Sequence, residues 1–68
     1  MLKEIMISAA RKHAEAEIEL HKANIEVYMR QVVGIGEHSD IIETIQKELD
    51  AMAVANDRLE TLDKYFNE

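Results

Sequence analysis

Cysteine, proline and tryptophan are absent from this chain, glycine occurs twice, and the aromatics are two tyrosines and one phenylalanine. Without cysteine there is no disulfide and no thiolate-zinc staple. Without proline nothing breaks a helix except the glycines, and both lie in the middle, in Val32-Val33-Gly34-Ile35-Gly36-Glu37-His38-Ser39-Asp40. Three scattered aromatics and 8 basic residues against 14 acidic ones leave no basic, base-stacking face for nucleic acid. No run approaches the roughly 20 apolar residues of a membrane span. Lys3 and Glu4 within the first ten residues argue against a cleaved leader. The expectation is an intracellular protein that binds neither nucleic acid nor membrane.

What is present is helix-forming. Residues 2–31 are rich in Ala, Glu, Leu, Ile, Met and Lys with no glycine, and the spacing predicts a helix there. Gly34 is the expected stop, since a position just past a helix end takes a left-handed backbone at no cost in glycine. Ile35 would fold back on the helix end. A second helix is predicted over about 39–66. Ser39 or Asp40 would be its N-cap, with Glu43 as capping-box partner. With a hinge at 32–38, the 68 residues form one domain, an all-α antiparallel hairpin.

The first arm carries two apolar stripes. One runs Leu2, Met6, Ala9, His13, Ala16, Leu20, Ala23, Val27, with Ile5 alongside. The other runs Ile7, Ala14, Ile18, His21, Ile25, Tyr28 or Met29, and Val32, displaced by roughly a third of a turn or more. The second arm shows a single stripe: Ile41, Ile42, Ile45, Leu49, Met52, Ala55, Leu59, Leu62, Phe66. Folding about the hinge pairs residues whose numbers sum to roughly 71, which sets Leu20 and Leu49 as core layers and His13 opposite Asn56 as a polar layer fixing register. Tyr65 and Phe66 would close the open end.

A hairpin partner can cover only one stripe of the first arm. The first stripe is assigned to it, leaving Ile7, Ala14, Ile18, His21, Ile25 and Met29 for self-association. Ordering so short a chain costs on the order of 100 kcal/mol, and two helices alone bury little with which to offset it. A homodimer forming a four-helix bundle is the simplest closed solution.

Chemistry is thinly represented. His13, Glu17 and His21, spaced by four, could place imidazole and carboxylate ligands on one side of a helix for a divalent metal. The Glu-x-x-His pairs of di-iron bundles and the His-Glu-x-x-His of zinc proteases are missing. Glu37, His38 and Asp40 at the hinge read as turn and capping chemistry. Gly34-Ile35-Gly36 lacks the Lys-Ser/Thr of a phosphate loop, and Ser8 and Ser39 have no nucleophile elbow. No catalytic residue and no cofactor are expected.

The charge is lopsided. Five acids balance five bases through residue 33, while nine acids face Lys47, Arg58 and Lys64 beyond it, so the net charge of −6 belongs to the second arm. That acidity suits a solvated face or docking onto a basic partner.

Ile7-Ser8-Ala9-Ala10, His13-Ala14 and Gly34-Ile35-Gly36-Glu37-His38-Ser39-Asp40-Ile41, with the closing Leu59 to Phe66, resemble a family of very short uncharacterised helical proteins from tailed phages of marine cyanobacteria and ocean metagenomes. The resemblance spans nearly the whole chain and implies a virus-encoded protein in an infected bacterial cytoplasm, with no catalytic residues to carry over. The leading expectation is therefore a non-enzymatic, phage-type structural or interaction protein that self-associates through its first helix and contacts phage or host protein. The alternatives are a metal-binding bundle using His13, Glu17 and His21, or an acidic inhibitor or mimic of a host protein.

Overall fold

Two long helices and the seam between them make up the computed structural model, which describes residues 2–31 and 38–67, with side chains left out at residues 31, 38 and 39. Helix α1 spans Leu2–Gln31 and α2 spans His38–Tyr65, and no strand occurs among the described residues. The Phe66 amide donates to the Leu62 carbonyl at 2.9 Å, carrying the helical pattern one residue past α2. Each helix has an acid in its first turn, Glu4 or Asp40, and a base in its last, Arg30 or Lys64. Both placements complement the backbone dipole. Ser39 and Asp40 thus lie inside α2 and not before it, which corrects the assignment of either as its N-cap. The expectations for Gly34, Ile35 and Glu37, and for the His38 side chain, fall outside the described residues.

The hairpin is a rod of 54 × 15 × 11 Å with a radius of gyration of 15.7 Å. A globule of this length would have a radius near 11 Å. So extended a shape has almost no interior: Ala14, Ile25 and Ala55, at 2, 7 and 0 % exposure, are the buried hydrophobic residues among those described.

Which faces meet follows from two runs. On α1 the buried or half-buried positions include Ile7, Arg11, Ala14, Ile18, His21, Ile25 and Tyr28, with Glu17 and Asn24 beside them. On α2 they include Ile41, Ile45, Glu48, Met52, Ala55, Leu59 and Leu62. Both step by four and three, the spacing that keeps a seam facing its partner. At the register of Arg11 with Asp63 and His21 with Glu48, Ala14 comes level with Leu59 and Ala55 with Ile18. Small then faces large, so the axes can approach toward about 8 Å without voids.

The axial register thus matches the expected one to within about a turn, but the rotation of α1 does not. Its inward stripe is the one assigned to self-association: Ile7, Ala14, Ile18, His21 and Ile25 turn toward α2, and of that set only Met29 stays exposed. The stripe expected to face α2, from Leu2 through Leu20 to Val27, is turned to the outside. Leu20 and Leu49 are accordingly exposed and form no core layer. His13 and Asn56 are also both exposed, each paired along its own helix, so they make no layer together. Tyr65 and Phe66 are exposed rather than closing a core. Tyr65 takes Lys64 Nζ over its ring at 5.3 Å, and Phe66 lines a shallow groove beside Ile7 and Arg11.

The physical reason for the rotation is polar matching. The two stripes are similarly apolar, but only the observed rotation sets Arg11 beside Asp63, Glu17 beside Arg58, and His21 and Asn24 beside Glu48. The alternative would turn these side chains to water and leave Glu48 facing hydrocarbon, which costs a buried charge its solvation.

Candidate polar site in the seam

Glu48 is the one acid half-buried on the seam of α2, three residues beyond Ile45 and four before Met52. Its Oε1 accepts Asn24 Nδ2 at 2.8 Å and lies 2.8 Å from His21 Nδ1, which donates when protonated. Asn24 and His21 sit one turn apart on α1, so their side chains converge on one point across the gap. The His21 hydrogen bond, then the Asn24 hydrogen bond, hold the Glu48 carboxyl below the usual carboxylate range; partial burial opposes them and the imidazole's charge assists. The cluster is satisfied, since no buried side-chain nitrogen or oxygen among the described residues lacks a partner.

The sign of the resulting pH dependence follows directly. A carboxyl that binds its proton less readily folded than unfolded stabilises the fold above its unfolded value of about 4.3 and loses that contribution as pH falls through its lower folded value. Glu48→Gln should therefore have a lower thermal midpoint than the native chain at pH 6, and the gap should narrow as the buffer is taken below pH 4. A gap unchanged between those conditions would show that the Glu48 charge does not act through this contact.

The metal candidates are divided by the same geometry. His13 Nδ1 lies 2.9 Å from Glu17 Oε1, and Arg58 Nη1 reaches that same oxygen at 3.4 Å. His21 turns instead to Glu48. Glu17 thus lies between an imidazole and a guanidinium, and His21 is committed to the other helix. Among the described residues no group of three or more His, Cys, Asp or Glu side chains is placed to hold a metal ion.

Two ion pairs lie between the polar site and the open end of the hairpin. Arg11 with Asp63 and Glu17 with Arg58 are partly solvated, and exposed pairs of this kind contribute about 0–1 kcal/mol each. They fix rotation more than they add stability. Sequence reasoning passed over Asn24, Glu48, Arg11, Asp63 and Arg58. Glu48 could have been noticed, because an acid at the four-three spacing between Ile45 and Met52 falls on the apolar side.

No helix among the described residues is long and apolar enough to cross a membrane. Protein-family models, curated proteins and solved structures yield no match to the chain.

Proposed function

We propose that this chain is a small, non-enzymatic structural or interaction protein that pairs with a second copy of itself through the outer stripe of α1, making a four-helix assembly. One observation carries the reading. Leu2, Leu20 and Val27 are 69, 56 and 52 % exposed, and with Met6 and the alanines between they form an apolar line along nearly the full length of α1. A soluble monomer avoids so continuous a patch, and a hairpin with three buried hydrophobic residues among those described has little else to hold it.

The resemblance to short phage proteins supplies the setting, an infected bacterial cytoplasm, with host or phage protein as further partners. Sedimentation at micromolar concentration tests the central point: the particle should have twice the single-chain mass. A folded particle of single-chain mass would overturn it.

A further inference from the structure

The outer stripe of α1 has an internal symmetry that says how a second copy would lie on it. Its positions, Leu2, Met6, Ala9, His13, Ala16, Leu20, Ala23 and Val27, step by four and three and read the same spacing from either end. Reversed about a point between His13 and Ala16, the set maps onto itself. Met6 then meets the second copy's Ala23, Leu20 meets Ala9, His13 meets Ala16, and Leu2 meets Val27. Three of the four pairings set a large side chain against a small one, the arrangement the chain already uses at its own seam, where Ala14 comes level with Leu59 and Ala55 with Ile18.

We infer that the two copies dock antiparallel, α1 against α1, about a two-fold axis crossing the helix between His13 and Ala16. This rests on the self-association proposed above. Charge supports the orientation. Lys12 and Glu19 each precede a stripe position and border the same edge; both are exposed, and among the described residues neither makes an ion pair within the chain. In an antiparallel pair, residues on one edge face the same edge of the partner, so Lys12 meets the second copy's Glu19, twice by symmetry. A parallel pair instead sets His13 against its own copy and alanine against alanine at three layers. That leaves voids between the large layers, which close-packed interiors do not tolerate.

The lack of native cysteine makes the orientation directly readable. Met6→Cys and Ala23→Cys chains are mixed, equilibrated and oxidised in a glutathione buffer. Like positions in an antiparallel pair are about 25 Å apart, whereas a disulfide needs Cα atoms within about 7 Å. The mixed disulfide between the two variants should exceed either self-disulfide by at least about tenfold. Self-disulfides at both positions in a particle of two-chain mass would overturn the antiparallel docking while leaving self-association standing; a single-chain mass for the unsubstituted protein would overturn both. Charge exchange gives an independent check. Lys12→Glu should weaken the dimer, and adding Glu19→Lys to the same chain should restore it. A double variant as weak as the single one would count against the pairing.

Discussion

Ile25→Ala is expected to remove about 2–5 kcal/mol of folding stability, the usual range for an apolar side chain truncated to alanine at a packed position. Ile25 is the largest of the three buried hydrophobic residues among those described, and it lies in the part of the seam that holds the polar cluster. Deleting its outer carbons both forfeits their transfer from water and opens a gap that two straight helices cannot collapse to fill. A domain of this size has a total stability of only about 3–10 kcal/mol, so the loss is a large share of the whole. Urea denaturation followed by circular dichroism, at one fixed protein concentration because association shifts the midpoint, measures the difference. Leu49→Ala in the same experiment should cost less than about 1 kcal/mol, since a half-exposed side chain loses little burial. Equal losses at the two positions would mean that α2 presents a different face to α1 than the one described.

Leu20→Glu should act on assembly and spare the hairpin. Leu20 sits near the middle of the outer stripe and away from the seam, and glutamate is as good a helix former as leucine within a few tenths of a kcal/mol. The helical signal should hold while the mass falls. Central apolar residues of an interface cost at least about 2 kcal/mol when lost, or roughly thirtyfold in dissociation constant. A carboxylate forced against the facing apolar surface adds its desolvation to that cost. Sedimentation across a concentration series reads the shift. An unchanged dissociation constant would place the interface elsewhere, on Ile42 and Leu49 of α2, the remaining exposed aliphatic side chains of the middle of that helix apart from Val54.

These two expectations divide the molecule in a way the bare sequence does not. Leu20 and Ile25 are both aliphatic, both on α1, and both on stripes with four-three spacing. Hydrophobic periodicity ranks them equally. Their separate roles come from partners on the other helix.

The amino-acid sequence alone determined that two helices form, roughly where each begins and ends, and which levels of α1 lie beside which levels of α2. Those features are local or nearly so: helix-forming composition, two glycines in one place, and arms of similar length that leave one way to fold back. Tertiary structure alone decided which of the two stripes of α1 turns inward. Rotating a helix by about 140° at 100° per residue keeps its length, its caps and its axial level, and hydrophobicity separates the two settings weakly. The choice falls to a few contacts across the gap, Glu48 with His21 and Asn24, Arg11 with Asp63, Glu17 with Arg58, and to alanines small enough at positions 14 and 55 to let the helices close. Such contacts join residues 24 to 52 positions apart, and only the folded chain brings them together.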